Sequence, residues 1–140
     1  MPIDAREKER RRALIEEHYA AENDHDLDRI MDTFADDAVM HYNHLPFQGD
    51  AGIRGAHMLI GMSPSPGAFS GYRAVIDEEH YTDEETVVEG RMFGKHSHEF
   101  LGFAPTERDV ELPFVAFYRF DDNGKLTSER IVMNLGPLQP

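Results

Sequence analysis

The segment from Val110 to Phe120 is the feature of this 140-residue chain that most restricts its fold. Side chains in an extended strand point alternately to opposite faces, and apolar residues recur along this segment at that spacing. One face carries Val110, Leu112, Phe114, Ala116, Tyr118 and Phe120, while the other carries Glu111, Pro113, Val115, Phe117 and Arg119. The pattern predicts a long strand whose apolar face is covered by other parts of the chain.

The rest of the second half also has the composition of strands. Further strands are predicted at 72–80, at 86 to about 100 and at 126–134. Gly90 and Gly94 predict bulges or bends within the second of these. Asn123-Gly124 predicts a hairpin turn before the last strand, because Asn-Gly readily adopts positive φ.

The first half instead shows helical spacing. Asp4, with Glu7 three residues later, predicts the start of a helix that runs to about Asn23. A short second helix, capped by Asp24 or Asp26, is predicted to include Leu27, Ile30, Met31 and Phe34, to end at Asp36-Asp37 and to precede a strand, AVMHY. A third helix is predicted from Gly49 or Asp50, carrying Ile53, His57 and Ile60, with the prolines of SPSPG stopping it.

Helices at the front and strands at the back favour the α+β class, with a strongly bent, mainly antiparallel sheet around the helices. The length predicts a single domain over residues 1–140. With 14 basic and 27 acidic residues, the net charge of −13 argues against nucleic-acid binding. No apolar run approaches the ~20 residues of a membrane-spanning helix. The charged start and the absence of cysteine fit a cytoplasmic protein.

His18 and Glu22 are a candidate acid/base pair. They stand four apart on the first helix, so they share a face, and Leu14 and Ile15 turn that face towards the interior. In the functional interpretation the imidazole holds a buried carboxylate. In the alternative, the two form an ordinary surface pair.

Tyr42 and His44 follow the first strand and, by alternation, are expected on one face. The Tyr42 hydroxyl is expected to bond either a substrate carbonyl or the protein backbone.

Glu89, Arg91 and Glu129 form a second candidate set, because a buried charge among apolar neighbours needs a partner. The alternative for these three is a ladder of salt bridges on the outer face of the sheet. His96 and His98 are expected to point one way, but the remaining ligands of a metal site are missing, and we predict neither a metal nor a cofactor.

Several segments together resemble the SnoaL-like branch of the nuclear transport factor 2-like superfamily. They are YAAENDHDLDRIMDTFADDAVM, PFQGDAGIR, GKHSHEFLGFAPTERDVELP and FYRFDDNGKLTSERI, in the order and spacing of that family. The resemblance implies a cone-shaped α+β fold with a deep pocket between the helices and the curved sheet, usually dimeric. Its members include polyketide cyclases, ketosteroid isomerases, dehydratases, epoxide hydrolases and non-catalytic binding domains, so the fold does not name the reaction.

The sequence also departs from the family pattern at three positions that carry acids or bases in relatives. The acid or base that cyclases and isomerases carry in the penultimate strand falls on Ala116, and the aspartate of the last strand falls on Ile131. An acid a few residues later falls on Asn134. Either other residues carry the chemistry, or the domain has none.

The sequence therefore predicts an enzyme of the SnoaL-like type that performs cyclisation, isomerisation or dehydration on a small apolar, carbonyl-bearing molecule without a cofactor. The catalytic candidates are His18, Glu22, Tyr42 and Glu129, and the substrate-binding candidates are His44, Glu89, Arg91, Ala116, Tyr118 and Ile131. A non-catalytic binding domain and an epoxide hydrolase are the alternatives. The outward-facing Val115 and Phe117 predict a homodimer through the outer face of the sheet.

Overall fold

The structure is a computed structural model that describes residues 3–62 and 66–140. In chain order, its elements are α1 (Ala5–Asn23), α2 (Leu27–Met31), β1 (Phe34–Tyr42), β2 (Leu45–Gln48), α3 (Gly49–Ile60), β3 (Phe69–Tyr81), β4 (Thr86–His96), β5 (Asp109–Phe120), β6 (Leu126–Met133) and a short 3-10 turn at Gly136–Leu138. Within the described residues, no helix is both long and apolar enough to cross a membrane. Part of the SPSPG segment lies outside the described residues.

The six strands form one curved sheet in the order β2-β1-β6-β5-β4-β3. Neighbouring strands are antiparallel except for β1 and β6, which run parallel. Helices α1 and α3 pack on one face of this sheet, and the apolar core lies between them and the sheet. The predicted α+β class and mainly antiparallel sheet are confirmed.

Strand β5 shows the alternation that its sequence predicts. The side chains of Val110, Leu112, Phe114, Ala116 and Tyr118 are buried on the inner face. Val115 and Phe117 are half-buried on the opposite face. The inner face of β5 is therefore part of the apolar core between the sheet and the helices.

The N-terminal helix is fixed at both ends. The Asp4 carboxylate caps it by accepting a hydrogen bond from the backbone N–H of Glu7 at 2.8 Å. At the other end, the Asn23 amide donates to the Ala74 carbonyl at 3.0 Å and accepts from the Ala74 N–H at 2.7 Å. Because these bonds tie α1 to β3, they also fix the rotation of α1 and the face that it presents to the sheet.

Two glycines of β4 lie at the irregularities that the sequence predicts. The pairing of β3 with β4 shifts between Ile76 and Glu78, beside Gly90, and between Ser70 and Arg73, beside Gly94. A Cβ atom on Gly90 would lie 2.5 Å from the Val75 carbonyl oxygen and 2.6 Å from a ring carbon of Phe114. The bend therefore depends on a residue without a side chain.

The structure corrects three element boundaries. Phe34 and the pair Asp36-Asp37 belong to β1 rather than to the second helix, because Phe34 pairs with Leu126 of the parallel strand β6. Strand β2 was not predicted: it is largely exposed, so it shows no alternation, and its Pro46 is tolerated at the edge of the sheet. Strand β4 ends at His96 rather than near residue 100.

The Gly90→Ala substitution is expected to lower the free energy of unfolding by about 1–3 kcal/mol, because its methyl group meets backbone and a packed ring. Gly55→Ala is the matched control, since a Cβ on this helical glycine meets no atom within 4 Å. The control is expected to stabilise the protein by up to about 1 kcal/mol, as alanine is the better helix former. Urea denaturation of both variants measures the difference, and equal effects would contradict this account of the bend.

Candidate active site

The inner face of α1 brings His18 and Glu22 together in the interior. Both side chains are buried, and His18 Nε2 lies 2.7 Å from Glu22 Oε2. The predicted interior position of the pair is thus confirmed, and the surface alternative is wrong. The Nε2–H of His18 nevertheless has no acceptor aligned for a hydrogen bond.

The other ring nitrogen of His18 shows which atoms carry protons. The Thr33 hydroxyl donates to the Ile30 carbonyl at 2.6 Å, so its oxygen accepts from His18 Nδ1 at 2.9 Å. Nδ1 therefore carries a hydrogen, and the nearby carboxylates favour a second one on Nε2. Burial alone lowers the pKa of His18, but Glu129 and Glu22 outweigh it and raise the pKa to about 10.

Glu22 receives contacts from two further side chains of the core. The Tyr72 hydroxyl donates to Glu22 Oε1 at 2.9 Å, and His57 Nε2 lies 3.5 Å from Oε2. His57 itself donates through Nδ1 to the Ile53 carbonyl at 2.9 Å. Burial acts to raise the pKa of Glu22, but the neighbouring imidazoles of His18 and His57 outweigh it and lower the pKa well below its ordinary value.

Glu129 is the second buried carboxylate of this centre, and its side chain is 0% exposed. The Tyr118 hydroxyl donates to its Oε2 at 2.8 Å. Since this uses the single hydroxyl hydrogen of Tyr118, the contact of 2.5 Å between the Tyr19 and Tyr118 hydroxyls is donated by Tyr19. The other oxygen, Oε1, has no hydrogen-bond partner and lies 3.6 Å from His18 Nε2.

Burial, assisted by Glu129 and Glu22, raises the pKa of Tyr19 and Tyr118 well above the ordinary value for tyrosine. Burial and Glu22 do the same for Tyr72. All three hydroxyls therefore stay protonated and act as hydrogen-bond donors. Together with His18 they surround two carboxylates, so the buried centre combines proton donors with an unpartnered proton acceptor.

Three of the four predicted catalytic residues meet in this centre, and Tyr42 does not act as predicted. Its hydroxyl donates to the Ala56 carbonyl at 2.7 Å, which is the backbone partner named as the alternative. His44 was expected on the same face as Tyr42, but it is exposed. The chain turns at Asn43, whose φ is +54°, so the alternation stops there.

The predicted set of Glu89, Arg91 and Glu129 is wrong, because the first two lie on the outer face. Glu89 pairs with His80 at 2.6 Å, and Arg91 pairs with Asp77 at 2.8 Å. Their strand neighbours Val88, Gly90 and Met92 point inward instead. The alternative, a salt-bridge ladder on the outer face, is confirmed for these two residues, while Glu129 stands apart from them in the core.

The remaining candidates lie on the inner face of the sheet. Ala116 of β5 pairs with Ile131 of β6, and Tyr118 pairs with Glu129. All four side chains are buried. The apolar residues thus occupy the positions next to the carboxylate, as their sequence alternation predicts.

The predicted common orientation of His96 and His98 is also wrong. His96 is buried and its Nδ1 accepts from the Thr106 N–H at 3.2 Å, whereas His98 is exposed and contacts the Gly67 carbonyl. The strand ends at His96, so alternation does not extend to His98.

Sequence reasoning missed three contributors to the centre, namely His57, Tyr72 and Tyr19. Of the three, His57 could most easily have been found from the sequence, because its spacing from Ile53 and Ile60 places it on the inner face of α3. Tyr72 and Tyr19 carried only an apolar signal. The partner of their hydroxyl groups comes from a distant part of the chain, which local spacing does not show.

The enclosure of the centre differs from the expected open hollow. His18, His57 and Glu129 are each 0% exposed. A depression of about 620 Å³ lies instead on the outer face of the sheet, where Arg91, Pro113, Val115 and Val132 contribute to its wall. The centre is therefore closed to solvent, and a ligand could reach it only after covering side chains move.

His18 is expected to remain doubly protonated at pH 7 and to lose its proton only as the pH rises through about 10. Because this folded-state pKa lies above the ordinary 6.5, the stability that it contributes is complete below pH 6.5 and is lost towards pH 10. NMR shifts of the labelled imidazole nitrogens measure the titration directly. A midpoint near 6.5 would contradict the buried ion pair.

Comparisons with known proteins agree with this architecture. The SnoaL-like domain profile matches residues 15–129. AclR from Streptomyces galilaeus, a proposed hydroxylase, is 25% identical with a TM-score of 0.72, over 91% of each chain. IdmH from Streptomyces antibioticus, a proposed polyketide cyclase, is 22% identical with a TM-score of 0.73, over 91% of this chain and 94% of that one.

A third similar structure is SalBIII, an epoxide hydrolase/cyclase-like enzyme of pyran ring formation in salinomycin. It is 15% identical with a TM-score of 0.75, over 93% of this chain and 95% of that one. No curated protein matches the sequence significantly. Because the profile covers most of the chain and includes α1 from Ile15, most of the sheet and Glu129, the chain belongs to the SnoaL-like domain family.

Proposed function

We propose that this protein is an enzyme that transfers a proton within a small apolar, carbonyl-bearing molecule, in a reaction leading to isomerisation, cyclisation or dehydration. The observation that carries the proposal is Glu129 Oε1, a fully buried carboxylate oxygen without a hydrogen-bond partner. Buried polar atoms are nearly always hydrogen-bonded, and a catalytic role or a bound ion or water accounts for many of those that are not.

Glu129 is the base in this proposal. Its Oε1 accepts a proton from the carbon next to the substrate carbonyl, while the Tyr118 hydroxyl holds the other oxygen at 2.8 Å. The Tyr19 hydroxyl in turn fixes Tyr118. This relay from the first helix keeps the carboxylate in one orientation without using the oxygen that reacts.

His18 is the proton donor that faces the base. When the substrate loses its proton, negative charge develops on the carbonyl oxygen, and the His18 Nε2–H, which has no aligned acceptor, is available to bond it. A donor of this kind typically stabilises the transition state by ~2.7–4 kcal/mol. Returning the proton from Glu129 to another substrate atom completes an isomerisation.

Glu22 is a positioning residue that keeps His18 charged. Its contact of 2.7 Å with Nε2 compensates the imidazolium before substrate binds, and the Tyr72 hydroxyl holds the carboxylate in place. Tyr42, His44, Glu89 and Arg91 have no part in this mechanism, because their side chains are bonded elsewhere or face solvent.

The surroundings support an apolar substrate. Phe34 packs edge-on against His18 with ring centroids 5.4 Å apart, and Met40, Ala116 and Ile131 lie on the buried faces of the neighbouring strands. These side chains offer no group that could bond a strongly polar substrate. Membership of the SnoaL-like family supports the reaction class, and so does the similarity to a proposed polyketide cyclase and to an epoxide hydrolase/cyclase-like enzyme.

A non-catalytic binding domain is the second candidate function. It is favoured by Ala116 and Ile131, where the sequence resemblance implies catalytic acids in other branches of the superfamily. Binding of an apolar ketone without exchange of its α-hydrogens would support this candidate.

Glu129→Gln is expected to slow proton transfer by ~100-fold or more, since a general base typically contributes 10²–10⁴-fold. The assay follows exchange of α-hydrogens for deuterium in a panel of small apolar ketones, including 2-tetralone, by proton NMR. Glu89→Gln is the matched control on the outer face and is expected to leave the rate unchanged. Equal exchange rates in the wild-type protein and Glu129→Gln would contradict the assignment of the base.

A further inference from the structure

Three buried side-chain atoms without an aligned hydrogen bond lie in the same part of the core. They are His18 Nε2, His57 Nε2 and Glu129 Oε1, all in side chains that are 0% exposed. Two of them converge on one carboxylate oxygen, Glu22 Oε2, at 2.7 Å from His18 and 3.5 Å from His57. The third, Glu129 Oε1, lies 3.6 Å from His18 Nε2. A buried polar atom without a hydrogen bond destabilises the folded protein, and a ligand bound beside these atoms would remove that cost.

Both imidazoles are oriented as metal ligands usually are. A metal-bound histidine almost always donates its other ring N–H to a protein oxygen, which fixes the ring and the tautomer. Here His18 Nδ1 donates to Thr33 Oγ1, and His57 Nδ1 donates to the Ile53 carbonyl, each at 2.9 Å. In both rings the nitrogen that remains for a ligand is Nε2, and both Nε2 atoms lie near Glu22.

The ligand atoms of His18, Glu22 and His57 all lie within 4.8 Å of one another, which is close enough for them to share one ion. Bonds of 2.0–2.2 Å to nitrogen and oxygen separate neighbouring ligand atoms by roughly 3.3–3.5 Å. The observed separation of 3.5 Å between His57 Nε2 and Glu22 Oε2 needs little change. The separation of 2.7 Å between His18 and Glu22 belongs to a protonated imidazole beside a carboxylate, and it widens when an ion replaces that proton.

The charge of the centre also favours a divalent cation. With His18 protonated, the two carboxylates leave a net charge of −1 buried in the core. With a divalent ion and two neutral imidazoles, the same centre is neutral, and a buried uncompensated charge is avoided. Two imidazole nitrogens with carboxylate oxygens suit zinc and its neighbours among the transition metals better than magnesium or calcium.

We propose that His18, Glu22 and His57 bind a divalent transition-metal ion of the zinc type through the two Nε2 atoms and a carboxylate oxygen, with the fourth position open to a non-protein ligand. Binding displaces the Nε2 proton of His18 to solvent and involves no change of oxidation state. The ion takes the His18 nitrogen whose N–H bonds the substrate oxygen in the proposed reaction, so the metal-bound and proton-transferring forms exclude each other. The binding measurement uses no substrate, and its outcome is therefore independent of the proposed function.

The described residues contain one other group of potential ligands, which provides the control. Glu78, His80 and Glu89 have ligand atoms within 4.8 Å of one another, but all three are exposed and His80 is already paired with Glu89. An ion that binds there is lost in His80→Ala and retained in His57→Gln. An ion at the buried centre shows the opposite pattern.

The test is a titration of the purified, metal-free protein with Co²⁺, followed by its visible absorption, and with Zn²⁺, followed by calorimetry in buffers of different ionisation enthalpy. We expect one ion per chain, intense absorption typical of tetrahedral Co²⁺, and release of about one proton. His57→Gln is expected to weaken binding by ~100-fold or more, because loss of a group that only supports a ligand already costs 10–100-fold. His80→Ala is expected to bind as the wild-type protein does.

Retained binding in a folded His57→Gln variant, or loss of binding in His80→Ala, would overturn the proposal. Circular dichroism establishes that each variant is folded. If His57→Gln does not fold, the His80→Ala protein decides the matter on its own. In that protein, tetrahedral Co²⁺ absorption with proton release supports the buried site, and the absence of either overturns it.

Discussion

The contact between the buried His18 imidazolium and the buried Glu22 carboxylate is the interaction on which the interior of this protein depends. Neither group is tolerated there alone, since an unpaired ion in the core costs several kcal/mol. Both side chains come from the inner face of the first helix. Glu129 of the last strand lies 3.6 Å from His18 Nε2 and adds a negative charge that the pair does not compensate.

The rest of the fold supports that contact. Asn23 fixes the rotation of α1 against β3, which directs His18 and Glu22 inward. The parallel pairing of β1 with β6, opposite Met40, places Glu129 in the middle of the sheet rather than at an edge. Tyrosine hydroxyls then supply hydrogen bonds that an apolar core would not provide. Glu129 Oε1 lacks a hydrogen-bond partner even so, which is unusual for a structural carboxylate and expected for a reactive one.

Local spacing was sufficient to predict the helices, the strand β5 with its inward face, and the interior placement of the His18–Glu22 pair. It failed where side-chain direction depends on tertiary contacts. Glu89 and Glu129 both lie in strands among apolar neighbours. Which of the two carboxylates is buried depends on which face of each strand the helices cover, and the strand sequence alone does not show that. The partner of the Tyr42 hydroxyl was left open between substrate and backbone, because the carbonyl that bonds it, from Ala56, lies on a helix whose position the sequence does not give. His57 was named on the third helix without a role, because its neighbour Glu22 lies on another helix.

The central claim is that Glu129 is kept in the core for reaction and not for stability. Its most direct test is the free energy of unfolding of Glu129→Gln, measured by urea denaturation at pH 7 and compared with the wild-type protein. The account predicts an unchanged or higher value, because an amide keeps the hydrogen bond from Tyr118 and removes a net negative charge from the core. A loss of ~3–5 kcal/mol, the cost of breaking a structural buried ion pair, would contradict it.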